Sequence, residues 1–229
     1  MSKIKWWAAG SKKYRLGVDH GILFPKQKIT TGNADKGPYT VGVAWNGLTQ
    51  VTATPSGEEA QKSYADNGVY AVIRGAATFG GTIEAFDWPA EFNACNGSGS
   101  KSDAKGLYVT GQTRQAFGFA YREKIGNDSD GMDHGYTYHF VYNATCSPSE
   151  EQAQTLNESP ELATRSWEFD TDPITCEIFD RPTAHIWIPS DEADPEKLAA
   201  LLAIVEGSDT EEPRLPLPDE IYTLMKATA

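Results

Sequence analysis

The chain has 229 residues, 39% of them hydrophobic and 11% aromatic, with a formal net charge of −12. That is enough apolar material for one β domain of ordinary size, with or without an appendage, and it excludes wholesale disorder. No long apolar run is present, and MSKIKWWAAG is too short and too polar for a signal peptide or a membrane span, so residence in a cytosol and no membrane partner are expected.

In chain order, residues 1–40 read as a basic arm carrying Trp6 and Trp7, then a first strand over Tyr14–Phe24 that Pro25 ends. Val41, Val43 and Trp45, then Leu48, Val51 and Thr54, flank Asn46-Gly47, the strongest short hairpin signal. A hairpin of Tyr39–Trp45 with Leu48–Thr54 is the expectation. The polar excursion Pro55–Asn67 has little to bury and is expected to leave the body and seek a partner, with Glu58, Glu59 and Tyr64 as contact residues.

Val69–Arg74 and Ala76–Phe86 follow as strands rich in β-branched and aromatic residues. Pro89 suits the first turn of a short helix through Cys95, and Asn96–Lys105 reads as a surface loop. Leu107–Gln112 is a short strand. Phe117, Phe119 and Tyr121, then Tyr136, Tyr138, Phe140 and Tyr142, alternate with smaller or polar residues at the period of half-buried strands. Leu162–Phe169 and Thr183–Ile188 add two more around Asp172-Pro173.

The chain then changes character. Asp194 reads as an N-cap with Pro195 behind it; Leu198, Leu201, Leu202 and Val205 form one apolar face, and Gly207 ends the helix. A proline-rich acidic linker, Ser208–Pro218, precedes an amphipathic stretch with Ile221, Leu224 and Met225. The division is therefore an arm with the first strand (1–40), a β body (41–190) and a C-terminal helical and acidic segment (191–229). The fold class is mainly β, a sandwich or open barrel with one or two short helices.

Charge is unevenly placed. Residues 1–30 hold seven basic groups against Asp19, whereas residues 147–229 hold nineteen acids against five bases. Two solvated ends explain this, and so does a polar subunit whose basic arm meets an acidic surface on the next copy, a head-to-tail contact that propagates into rings or filaments. Trp6 and Trp7 within the basic arm suit stacking on single-stranded nucleic acid, but a strongly acidic chain without a second basic patch favours an aromatic anchor in a neighbour's groove.

Catalytic and metal signatures are weak. Asn127–His134 (NDSDGMDH) carries acids enough for calcium, yet aligned on Gly131 an EF-hand loop would need an acid at Gly126 and a glutamate at Thr137. A polar hairpin tip is the simpler reading. His134 and His139 are five apart, on opposite faces of a strand, so they are poor partners for one metal. Gly97–Ser102 lacks the Gly-Lys-Ser/Thr ending of a phosphate loop, and no GxSxG or HExxH occurs. Cys95, Cys146 and Cys176 are odd in number and lack CxxC spacing, which points to buried thiols. No enzyme activity and no cofactor are expected; a hydrolase with a dispersed Asp/His site is the reading this leaves aside.

An ordered series of segments resembles the major tail tube protein of long, flexible-tailed bacteriophages: WNGLT (45–49), YADN (64–67), FGGTIEAFDWPAEF (79–92), FGFAYREKIGND (117–128), DHGY (133–136), SPELATRSWEF (159–169), RPTAHIWI (181–188), DPEKLAALLAIVEG (194–207) and PRLPLPDEI (213–221). The resemblance implies a β-sandwich-like subunit that forms hexameric rings. Inner strands of six copies join into one β-barrel, and rings stack into a virion tail tube through which genomic DNA leaves. It also implies tail terminator and distal tail proteins at the tube ends and a tape measure protein in the lumen. Strand alternation makes Thr78, Thr82, Glu84, Thr164, Ser166 and Glu168 candidate lumen-facing residues. Trp6, Trp7, Glu58, Glu59 and Tyr64 are the candidate contacts between subunits. The alternative from another class is a β-sandwich module that binds carbohydrate through exposed tyrosines and tryptophans.

Overall fold

The computed structural model describes residues 6–30, 36–57, 61–73, 77–101, 103–151, 153, 155 and 162–226. The chain is mainly β. Its principal sheet uses β1 (Tyr14–Pro25), β2 (Val43–Trp45), β3 (Leu48–Gly57), β6 (Ala77–Ala85), β9 (Phe117–Asn127), β10 (Gly131–Cys146), β11 (Arg165–Thr171) and β12 (His185–Pro189). The order is β2-β1-β9-β10-β11-β6-β3, with β12 also paired to β10 and every pairing antiparallel.

The expected hairpin at Asn46-Gly47 does not form. β2 pairs with β1 and β3 pairs with β6, at opposite ends of the sheet path. Gly47 has φ 81° but Asn46 is not in the positive-φ region, and a type I′ hairpin turn needs both. The turn therefore splays its strands, and Gly47 instead accepts a 2.9 Å hydrogen bond from Phe86 N at the end of β6. The sheet bends round so far that Leu48 of β3 lies where a Cβ on Gly21 of β1 would sit.

A true two-residue hairpin turn occurs in the excursion. Asp66 (φ 49°) and Asn67 (φ 62°) connect β4 (Gln61–Ala65) to β5 (Gly68–Ile73), a separate two-stranded ribbon. The excursion is thus strand where a loop was expected. The Asn96–Lys105 loop likewise contains β7 (Gly99–Ser100), paired with β8 (Tyr108–Val109), all that remains of the expected Leu107–Gln112 strand. The turn begun at Pro89 leads into α1 (Phe92–Cys95).

Alternation along β1, β9 and β10 feeds two cores. Leu23, Phe117, Phe119, Tyr121 and Val141 join Trp45, Ile83, Phe92, Trp167 and Phe169 on one side. Ile22, Phe24, Ala120, Tyr138, Phe140 and Tyr142 face the other side, under α2 (Pro195–Val205) and α3 (Pro218–Met225). Asp194 caps α2 by accepting from Glu196 N and Lys197 N, as its place before a proline predicts. Leu215 and Ile221 are buried, and Tyr142 Oη donates to Pro216 O at 2.8 Å. The segment from 191 onward therefore shares a core with β1, β9 and β10 and is not a separate decoration. All three cysteines are buried free thiols.

β10 is 16 residues long, and the sheet forks along it. Its Thr137–Val141 stretch takes β12, whereas Ala144–Cys146 takes β11. Between them Asn143 adopts φ 51° and a register shift interrupts the ladder with β9. Beyond the fork β11, β6 and β3 form a three-strand blade.

Candidate functional site

One face of that blade carries the sequence's candidate lumen residues in rows. Ser166, Glu84 and Gln50 stand opposite one another, then Glu168, Thr82 and Thr52, then Asp170, Gly80 and Thr54, and finally Thr78 beside Ser56. The alternation places these residues on one face and Trp167, Ile83, Phe169 and Val51 on the core face. Gln50 Nε2 donates to Thr52 Oγ1 at 2.9 Å, and the Ser56 and Thr78 hydroxyls are 2.7 Å apart. The face is built of hydroxyls, one amide and the carboxylates of Glu84, Glu168 and Asp170, without a base in these rows. Thr164 precedes β11 and lies outside its rows. Sequence alternation located β6 and β11; it missed Gln50, Thr52, Thr54 and Asp170, because their membership depends on which strands pair.

Close packing of the blade rests on Gly80-Gly81. A Cβ on Gly81 would overlap Thr52 O and come within 3.0 Å of the Phe169 ring, and one on Gly80 would lie 2.9 Å from Asp170 Oδ1. Only glycine lets both neighbouring strands approach there.

The blade ends on β3, which pairs with β6 alone in the sheet order. From Thr52 to Gly57 every β3 residue is exposed, so the strand runs out past the core. An edge of this length offers unpaired N–H and C=O groups to another chain. On the far side of the blade β10 pairs with β11 over Phe169–Thr171 and Ser147 N donates to Glu168 O at 2.9 Å, so the start of β11, Arg165–Trp167, has β6 as its one strand partner among the described residues. The β4–β5 ribbon, a separate sheet lying between β3 and β6 in the chain, exposes Tyr64 at 69% and Tyr70 at 80%, with Val69 and Val72 also exposed. Two strands alone are marginal in water, which makes this ribbon a poor structure without a surface to lie on. Glu58 and Glu59 lie outside the described residues.

Trp6 and Trp7 are 79% and 80% exposed, with the Lys12 ammonium 5.0 Å from the Trp7 ring centre. Behind them the arm is held to the β9–β10 tip: Lys12 N donates to Asp128 Oδ1 at 3.2 Å, and Lys13 pairs with Asp191. The tip itself is an Asx turn. Asn127 Oδ1 accepts from Ser129 N and Asp130 N, and His134 Nδ1 lies 2.8 Å from Asp130 Oδ2. Among the described residues no group of three or more His, Cys, Asp or Glu is arranged to hold a metal.

Two histidines come together in the fold. His139 of β10 and His185 of β12 stack with ring centres 5.3 Å apart, Nδ1 of the first 3.1 Å from Nε2 of the second. Tyr121 stacks on the outer face of His139 and Phe79 on that of His185, completing a column. Burial lowers both histidines from 6.5 to about 4, with Arg15 adding to the effect at His139 and His139 at His185. Both rings are thus neutral at pH 7. Strand pairing brings them together across 46 residues, and no motif in the sequence announces it.

No protein-family model matches the chain, and no curated protein sequence is significantly similar to it.

Proposed function

We propose that the chain is the tail tube subunit of a long, flexible-tailed bacteriophage, a non-enzymatic structural protein of the virion. The bent sheet with its helix-covered face serves as a β-sandwich-like body. The β3–β6–β11 blade of each copy is completed by its neighbours into the inner barrel of a hexameric ring. The observation that carries this reading is the blade itself: core on one side, acids and hydroxyls on the other, and a ten-residue strand at its border with one partner. Ring closure removes the open edge. Three strands from each of six copies, at ~4.8 Å spacing and ~40° tilt, would enclose a barrel about 35 Å across between backbones.

In that ring Thr78, Thr82, Glu84, Ser166 and Glu168 line the channel, with Gln50, Thr52, Thr54 and Asp170 beside them. Carboxylates without bases repel phosphate over roughly 10 Å, so genomic DNA slides past without sequence-specific contact. The β4–β5 ribbon reaches an adjacent subunit or ring through Tyr64. Tail terminator and distal tail proteins cap the tube, and a tape measure protein fills it before the DNA.

Electron microscopy of the concentrated purified protein, alone and with a phage initiator complex, tests the proposal. Hollow tubes of stacked rings are expected. A protein that stays monomeric under both conditions and binds a glycan would overturn it in favour of a carbohydrate-binding module.

A further inference from the structure

On the helix-covered side an open apolar groove of about 400 Å³ runs between β12 and α3. Phe179, Trp187, Ile188, Tyr222 and Met225 form its walls, and Trp187, Phe179 and Tyr222 remain substantially exposed. Among the described residues, the charged ones lining it are Glu192 and Asp194. Asp194 is engaged as the α2 cap, which leaves the exposed Glu192 carboxylate at the groove wall. A monomer gains nothing by leaving this much aromatic surface wet.

The same chain holds one segment with the complementary chemistry. Trp6 and Trp7 point their rings into solvent, and residues 1–13 carry Lys3, Lys5, Lys12 and Lys13 without an acid. Gly10 to Lys13 are fixed against the β9–β10 tip and Asp191, so the indoles project from an anchored base and stand outside their own groove. Tryptophans on a short basic tether, and an aromatic groove whose free charge is negative, are the two halves of an anchor-and-pocket contact.

We infer that the Trp6-Trp7 arm of one copy docks in the β12/α3 groove of a second copy. The arm and the groove are different surfaces, so the contact is heterologous and propagates from copy to copy. It rests on the reading that copies assemble, and it supplies a second joint, away from the blade edges.

The test mixes two full-length single variants, Trp7→Cys and Tyr222→Cys, under mild oxidation. Both positions are solvent-accessible and the native cysteines are buried. A disulfide-linked heterodimer is expected in the mixture, together with a loss of cross-linking when Trp187→Glu is added to the Tyr222→Cys chain. A W6A/W7A double variant should melt as the unaltered protein does and raise the concentration needed for assembly about tenfold or more. Tubes that form normally from W6A/W7A, or a mixture that yields no heterodimer between the two single variants, would overturn the arm's role while leaving the tube reading intact. Heterodimers without tubes would support the docking and count against the tube instead.

Discussion

The β1–β9–β10 region and the β3–β6–β11 blade are parts of one antiparallel sheet with opposite fates. The first has both faces covered, with Phe117, Phe119 and Val141 in one core and Phe24, Phe140 and Tyr142 in the other. The blade covers one face only and leaves β3 with a single partner. The difference teaches that this chain completes its folding inward but not sideways. The double-faced region holds the chain together, and the blade is the part that the proposed ring would complete.

The comparison breaks hardest if the helix-covered face is stripped. Removing residues 208–229 deletes buried Leu215 and Ile221 and uncovers Phe24, Tyr39 and Tyr142. At about 1.5–3 kcal/mol per buried apolar side chain, the loss rivals a typical domain stability of about 5–15 kcal/mol. Chemical denaturation should find the truncated chain unfolded or nearly so. A well-folded truncated monomer would show that this segment is an appendage after all.

Next in size is Trp167→Ala. Trp167 is 2% exposed and meets Trp45, Trp88 and Phe92 edge-on at 5.3–5.6 Å between ring centres. A loss of about 3–5 kcal/mol is expected in urea titration. Gly81→Val acts on the blade instead, forcing β3 from β6 at Thr52; about 1–3 kcal/mol in stability is expected, with assembly lost entirely.

The histidine column gives a pH-dependent effect of comparable size. Both rings titrate at about 4 when folded and near 6.5 when unfolded, so between those values the unfolded chain binds more protons. Their contribution is complete above about pH 6.5 and declines as pH falls through the window, by on the order of 3 kcal/mol for each ring. Arg15, Glu123 and Tyr121 face His139, and Phe79 faces His185, so the buried neutral pair is the element that sets this slope. The melting midpoint should fall between pH 7 and pH 4.5, and less steeply in His185→Phe. An equal slope in both proteins would remove the pair from the account.

Local chemistry was legible in the sequence where one short stretch decides the outcome. Asp194-Pro195 starts α2, and Leu198, Leu201 and Val205 bury, because capping and helical period are properties of neighbouring residues. The alternation in Phe117–Tyr121 and Tyr136–Tyr142 likewise gave β9 and β10. Pairing was not legible. Asn46-Gly47 joins opposite ends of the sheet, while Asp66-Asn67 makes the two-residue hairpin, a distinction set by whether both central residues reach positive φ. The His139–His185 column and the rows that bring Gln50, Thr52 and Thr54 beside Glu84 depend on register between distant strands. Periodicity says which residues share a face of one strand; it does not say which strand comes next.

The smallest stability effect sharpens the comparison most. Glu84 sits on the open face of the blade's central strand, flanked by Ser166 and Gln50, and its removal leaves no buried cavity. Glu84→Cys should therefore change stability by less than about 0.5 kcal/mol. In the dispersed monomer a bulky maleimide reagent should label it readily, since Cys95, Cys146 and Cys176 are buried and unreactive by comparison. In assembled tubes the same thiol would face a channel closed along its length, and labelling by a reagent too large to enter should stop, while Tyr70→Cys on the ribbon reports how far outer surfaces remain open. Equal labelling of Glu84→Cys before and after assembly would put the acidic face on the outer wall, and the blade's bare side would then be solvent-facing for solubility, with the channel lined by some other part of the chain.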